Sequence, residues 1–345
     1  MSSPPGCLPR PRAASIMPPM TQGNRPRILV ADRMSESAMA RLREAGEVVL
    51  LEHADEETLA AEAARSDALV LRTYTQVTAG VIQAAAAGGR LKVIGRGGVG
   101  VDNIDVRAAA RAGIVVVNTP AASTHAVADL TVGLIIALQR SIPTCDRRIR
   151  EGEFASLRGG ASAPCELQYQ TLGVIGMGRI GRAVGARLHL GFGTRVIYHD
   201  IREIGLLPFA AEPRGRAEDV YAEADVVTLH VPLTPLTRGM INAGSLASFR
   251  PGAWLVNTSR GAVVEAEALA EALRSGRLAG AAIDVYDPEP PPPDHPLFSA
   301  PNTILTPHIA SRSRQALAAM NDVVEDVLAV LAGREPAWPV DPETV

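Results

Sequence analysis

The chain has 345 residues, more than one ordinary core accommodates, so two domains are expected. Hydrophobic content of 47% with 21% charged residues describes a globular chain, and a net charge of −3 over interspersed acids and arginines gives no electrostatic case for nucleic acid or an anionic membrane as partner. Lys92 is the only lysine, so Schiff-base chemistry would rest on it alone. Cys7, Cys145 and Cys165 have neither metal-ligand spacing nor the pattern of a disulfide framework, which predicts a reducing, cytoplasmic setting.

The opening stretch, MSSPPGCLPRPRAASIMPPMTQGNRP, is proline-rich, carries arginines and no acid, and lacks the apolar block of a signal peptide. A transit peptide and a start codon placed too early (Met17 or Met20) are compatible with it; disorder over residues 1–25 is the expectation. From Arg27 onward, RILVA, EVVLL, ALVLR, LKVIG and IVVVN are short β-branched runs separated by alanine- and charge-rich helical stretches such as SESAMARLREAG. This βαβ rhythm predicts a parallel sheet with helices on both faces, a layout that resembles flavodoxin. STHAVADLTVGLIIALQRSI (123–142) reads as one long helix, with Ser123 or Thr124 as N-cap and Pro143 just past its end. REGEFASLRGGASAPCELQYQ has no clear period and reads as a connecting loop. A second βαβ series begins at Thr171 (LGVIG, RVIYH, DVVTLH, AWLVN, GAAID, TILTP), and SRSRQALAAMNDVVEDVLAVLAG (311–333) reads as an amphipathic helix ended by Gly333. A helix so late in the chain packs most simply on the first domain. The expected first domain is then 26–122 with 312–345, interrupted by a second over 123–311.

Within the second series, LGVIGMGRIGR places Gly176, Gly178 and Gly181 in G-x-G-x-x-G spacing between a strand and a helix. Gly176 would permit the tight turn, Gly178 the approach of a pyrophosphate to the helix N-terminus, and Gly181 close packing of helix on strand. Asp200 ends the next strand about 20 residues on, where a carboxylate accepts from ribose hydroxyls. Its charge favours NAD over NADP, although Arg202 could pair with a 2′-phosphate. Three later strand ends deliver polar groups to the same edge of the sheet: AWLVNTSRG brings Arg260, GAAIDVYDPEP brings Asp284 and Glu289, and TILTPHIAS brings His308. Each alone has an ordinary reading as a solvated or structural side chain. Their succession after a dinucleotide fingerprint is harder to explain that way.

Taken together, LKVIGRGGVGVDNIDVRAAARAGIVVVNTP, LGVIGMGRIGR, VNTSRGAVVEAEALAEALRSGRLAGAAIDVYDPEPP and NTILTPHIAS resemble the D-isomer-specific 2-hydroxyacid dehydrogenases, in particular the 3-phosphoglycerate dehydrogenase-like branch. The resemblance runs from about Arg27 to the last helix. It implies two doubly wound, Rossmann- and flavodoxin-like parallel-sheet domains, NAD as cofactor, a small 2-hydroxy or 2-keto acid as substrate, no metal, and a homodimer built through the 124–142 helix. It implies a catalytic triad of Arg260, Glu289 and His308, with His308 as general acid–base. For the cofactor it implies Arg179 and Ile180 beside the glycines, His230, Val231 and Pro232 near the adenine side, Thr258 and Ser259, and Asp284 at the nicotinamide carboxamide. For the substrate it implies the Val99 and Gly100 amides, Arg72 and Arg260.

Some positions depart from that pattern. Phe154, Ala155 and Ser156 stand where phosphoglycerate dehydrogenases often carry a tryptophan and a basic residue, leaving Arg158 or Arg96 as substitutes. Ser123 replaces an asparagine, and His125 is an unusual polar neighbour. The chain stops soon after its last helix, so the amino-acid feedback control of longer members is not expected. Alternatives in the same fold are a glyoxylate or hydroxypyruvate reductase and, in another class, an NAD-sensing corepressor.

Overall fold

The computed structural model describes residues 25–160 and 165–344. The stretch expected to be disordered lies, Arg25 apart, outside them. The first five β-branched runs form β1 (Arg27–Val30), β2 (Glu47–Leu50), β3 (Ala68–Leu71), β4 (Val93–Arg96) and β5 (Val115–Asn118). They pair in parallel in the order β2-β1-β3-β4-β5. β3 and β4 are buried at every residue, as strands covered by helices on both faces must be, which is why they read as unbroken apolar runs.

The second series forms β6 (Thr171–Ile175), β7 (Arg195–His199), β8 (Glu212–Pro213), β9 (Val226–Leu229), β10 (Ala253–Asn257), β11 (Leu278–Ile283) and β12 (Thr303–Leu305). Their order is β12-β11-β10-β9-β6-β7-β8, again parallel throughout. The direction of winding reverses between β6 and β9, and a sheet of this kind opens a crevice at the carboxyl ends of those two strands. β8, two residues long and containing a proline, gives no sequence signal.

Two helical expectations need correction. The predicted 123–142 helix ends at Gln139; Ser141 takes a left-handed conformation (φ 49°), and a second helix, Ile142–Arg150, leaves at 57°. Pro143 therefore opens a helix instead of closing one, because the first turn has no use for the N–H that proline lacks. Of the stretch read as a loop, only Arg150 belongs to this helix, and Phe154–Gly160 forms another. The C-terminal segment is likewise two helices, Arg314–Met320 and Val323–Leu331, before Gly333 (φ 70°) ends it as expected. At the break, Asn321 Oδ1 accepts the Ser35 N–H at 2.9 Å, tying this region to the first sheet.

Val323, Val324 and Val327 complete the core over β1, β3, β4 and β5. A Cβ at Gly95 would stand 2.4 Å from Val327 Cγ2, so the glycine in β4 lets this helix lie close. The five-stranded domain is thus closed by a segment that follows the seven-stranded one, which is inserted within it. Among the described residues, no single helix is long and apolar enough to cross a membrane.

Candidate active site

The fingerprint glycines occupy the positions their spacing predicts, each for a different reason. Gly176 has φ 91°, and a Cβ there would fall 2.6 Å from the His230 carbonyl oxygen at the end of β9. A Cβ at Gly181 would lie 2.1 Å from the Gly176 oxygen and 2.9 Å from Val174 Cγ1, so the helix Arg179–Phe192 approaches β6 only because this residue has no side chain. Gly178 is different. Its open face meets only Arg202 Nη2, at 3.9 Å, and it caps the helix without any side-chain hydrogen bond. The free amides of the first turn, beside an open glycine, form a cradle that fits a pyrophosphate.

Asp200 is used on both oxygens. Oδ2 accepts the Met177 N–H at 2.8 Å, which braces the glycine loop, and Oδ1 accepts the Arg202 N–H at 2.9 Å. The exposed Arg202 side chain is 3.6 Å from the same carboxylate. His230, at the end of β9, donates its backbone N–H to Ile175 and pairs through Nε2 with Thr228 Oγ1 at 3.0 Å. The residue is only partly buried, yet its Nδ1 is fully enclosed without a partner, and burial pushes its pKa down to about 3, so the ring is neutral. Val231 packs against the Gly176 turn, and Pro232 accepts from Thr237.

Of the three side chains expected to act together, His308 and Glu289 pair directly, and Arg260 lies within electrostatic reach of Glu289. His308 Nδ1 lies 2.8 Å from Glu289 Oε2, and Glu289 Oε1 accepts the Tyr286 N–H at 2.9 Å. Burial works to raise the Glu289 pKa; the hydrogen bonds from His308 and Tyr286, with the charges of His308 and Arg260, outweigh it and hold the group below the usual glutamate range. His308 has φ 51°, a conformation uncommon for a residue with a side chain, and its N–H donates to the Asp284 carbonyl oxygen at 2.7 Å.

Asp284 is engaged with the loop that carries His308. It is fully buried at the end of β11, with Oδ1 accepting from Thr306 Oγ1 and the Ile309 N–H and Oδ2 from the Ala310 N–H. In this structure it tethers the histidine loop and presents no surface to a nicotinamide. Thr258 and Ser259 are buried too, the first against Thr131 Oγ1 and the second on Asn257 Oδ1. Asn257 also donates to the Arg260 carbonyl at 2.9 Å, which sets the backbone from which the guanidinium projects.

Arg260 crosses to the other domain. Its Nε and Nη2 lie 2.9 Å from Asp102 Oδ1, and a Cβ at Gly100 would be 1.6 Å from Nη2. The guanidinium therefore rests on the bare Gly100 backbone. Among the described residues, nothing accepts the Val99 or Gly100 N–H. Asp102 was missed by the sequence reading although it lies inside the quoted motif GRGGVGVDN. Burial alone would raise its pKa, but Arg260, aided by Arg96, lowers it.

Arg96, at the end of β4, is 8% exposed, and its Nε is buried without a partner. Burial first, then the nearby Arg260 and Arg72, pull its pKa down to about 10, against Asp102 and Asp32; it stays cationic at neutral pH. Arg72 reaches Met320 Sδ at 3.3 Å while its backbone N–H is held by Asp32. Arg96, Arg72 and Arg260 thus lie within electrostatic reach of one another or of Asp102 and Asp32, with Arg312 acting on Arg72 as well, an excess of positive charge suited to an anion.

The D-isomer specific 2-hydroxyacid dehydrogenase, NAD binding domain model matches residues 132–310, the whole region from the long helix to the histidine loop. The chain belongs to this family. It is 41% identical over 310 residues to the D-3-phosphoglycerate dehydrogenase of Methanocaldococcus jannaschii, a match covering 89% of this chain and 58% of that protein. The chain therefore spans less than two thirds of that relative's length. It is also 37% identical over 335 residues to the glyoxylate reductase of Thermofilum pendens, covering 93% of this chain and 96% of the relative. The crystal structure of the TT0316 protein from Thermus thermophilus superposes with a TM-score of 0.81 at 41% identity, over 91% of this chain and all of that one.

Within this dehydrogenase family frame, the departures noted in the sequence fall into two groups. Arg158 and Phe154 are exposed on the helix beyond the bend, whereas Arg96 stands in the cleft. Ser123 is buried, and His125 turns to Arg187, 3.2 Å away on the surface, so it is no part of the cleft.

Proposed function

We propose that the chain is an NAD-dependent oxidoreductase interconverting a D-2-hydroxy acid and its 2-keto acid, and that its preferred substrate carries a phosphate, as 3-phosphoglycerate does. The reading works with two lobes, 26–122 with 312–345 for the substrate and 123–311 for the coenzyme. The observation that carries it is the His308–Glu289 pair, at 2.8 Å, within the electrostatic reach of the Arg260 guanidinium laid against Gly100.

When bound at the glycine cradle, NAD supplies the hydride acceptor or, reduced, the donor. Glu289 accepts the Nδ1 proton and so fixes the tautomer and the ring, leaving Nε2 to exchange a proton with the substrate oxygen. In reduction His308 gives that proton to the forming alkoxide, and in oxidation it removes the hydroxyl proton. The Arg260 fork and the Val99 and Gly100 amides hold the carboxylate, and the fork polarises the adjacent carbonyl. Closure of the lobes excludes water from the reacting carbon. Asp284 serves by fixing the loop that presents His308. Asp200 favours NAD, with Arg202 able to accept NADP as a second choice.

Arg96 supports the phosphate reading, because its charge adds to those of Arg260 and Arg72 and so favours an anion with more than one negative charge. A panel of phosphohydroxypyruvate, hydroxypyruvate, glyoxylate and pyruvate, assayed with NADH and NADPH, tests it. The phosphorylated acid should have the highest kcat/KM, and Arg96→Met should remove at least about ten-fold of that preference, the worth of one charge-assisted contact, while the chain stays folded. Equal handling of the phosphorylated and unphosphorylated acids would point instead to a glyoxylate or hydroxypyruvate reductase, the reading favoured by the near full-length match to the Thermofilum pendens protein.

We further propose a homodimer, formed through the Thr124–Gln139 helix and its neighbours. A groove of about 600 Å³ lies between this helix and Arg179–Phe192, lined in part by the exposed Leu190 and Phe192, and Ile142 and Ile149 are exposed on the helix beyond the bend. Sedimentation should give twice the chain mass, and a monomer at micromolar concentration would refute it. Cytoplasmic residence is proposed as well, in keeping with free thiols at Cys145 and Cys165.

A further inference from the structure

The end of the chain reaches the coenzyme side of the cleft. After Gly333 it runs back along β5: the Val340 N–H donates to the Val116 oxygen at 2.8 Å, the Asn118 N–H to the Trp338 oxygen at 3.2 Å, and Pro339 sits antiparallel to Val117. Asp326, 7% exposed on the last helix, accepts the Ala337 N–H on one oxygen and the Trp338 N–H on the other, at 2.8 and 2.9 Å. The backbone at Trp338 is thus fixed without help from its indole. The ring, 43% exposed, meets the Arg179 guanidinium of the other domain, whose Cζ is 5.8 Å from the ring centroid. Arg179 is the first residue of the 14-residue helix that Gly178 caps.

The indole is more than half covered, yet it belongs to none of the hydrophobic cores of the two domains. What it does is restrain a long, otherwise rotatable cation beside the pyrophosphate cradle. A guanidinium held over the face of an aromatic ring by cation–π attraction keeps its N–H groups free for phosphate oxygens. Holding that side chain in place before binding removes part of the ordering cost of binding.

We propose that Trp338 is a positioning residue for the coenzyme: from the substrate lobe it holds the Arg179 guanidinium over its ring, beside the place of the pyrophosphate of a dinucleotide. The contact spans the two lobes, so coenzyme binding also draws on the lobe that carries the substrate loop. This rests on the coenzyme reading above.

The test is a titration of the full chain with NADH, read by dihydronicotinamide emission, on wild type, Trp338→Ala, Trp338→Phe, Arg179→Ala and the Trp338→Ala/Arg179→Ala pair. Trp338→Ala should weaken NADH about two- to five-fold, the range of an exposed cation–π contact, and Trp338→Phe should recover most of the loss. In the Arg179→Ala background the tryptophan substitution should add nothing, a non-additivity that a merely structural residue does not produce. Wild-type affinity in Trp338→Ala, or an equal loss with and without Arg179, would overturn the inference alone. Failure of wild type to bind NADH would overturn the coenzyme reading and this inference together.

Discussion

Replacing His308 by Gln should lower 2-keto acid reduction by about 10²–10⁴-fold, the usual contribution of a positioned general acid, while NADH affinity stays at the wild-type value. Glutamine fills similar space and cannot deliver a proton as an imidazole does. The Asp284 tether acts on the backbone of residues 308–310, so the loop should keep its course in the variant. The pH profile carries a linked expectation. Glu289 is held below the usual glutamate range, so the stabilisation from its pairing is complete above the unfolded-chain value and is lost as pH falls through the lower, folded one. In the reduction direction, where the protonated ring is the donor, the rate should hold as pH falls and fail only below that range. Stopped-flow reduction of the best keto acid from about pH 3 to 9 measures both effects. A near-normal rate in the Gln variant, or an acid limb well above the glutamate range, would remove His308 and Glu289 from their roles.

Arg260→Ala should be comparably damaging, for a different reason. The guanidinium offers two charge-assisted hydrogen bonds to a carboxylate, each about 1.5–3 kcal/mol, so kcat/KM should fall about 10²–10⁴-fold. Removing it also leaves Asp102 without its partner across the cleft, 2.9 Å away. Arg260→Lys should rescue little, because a point charge on a flexible stem cannot span both carboxylate oxygens from the bare Gly100 backbone. Steady-state kinetics with NADH binding as the control distinguishes this from misfolding. If Lys at this position restores kcat/KM to within a few-fold, the planar fork is not what the substrate requires.

Strands that run apolar through a sheet covered on both faces were readable from their composition, and so was the glycine turn, because each of its residues answers a local steric demand. His308, Glu289 and Arg260 were candidates because strand ends converge at one edge of a parallel sheet, and the family resemblance gave them their expected roles. The helix break at Ser141 was not readable: the apolar spacing continues past it, and Pro143 is as welcome in a first turn as beyond a last one. Nor was the partner of Arg260. Asp102 lies 158 residues away on another domain, and only the approach of the two sheets brings it there. Asp284 shows the opposite difficulty. A strand-end carboxylate looks the same in sequence whether it faces a ligand or ties down its own neighbours.

The connectivity has one more consequence. The polypeptide passes between the lobes twice, once after β5 and once after the histidine loop, and the helices flanking these passages, Thr124–Gln139 and Arg314–Met320, touch each other. Two adjacent strands of chain act like paired pins on a door frame: they leave one swing and resist twist or sideways slip. Opening to admit a substrate should therefore follow a single swing, and shutting should return Arg260 to its resting place on Gly100.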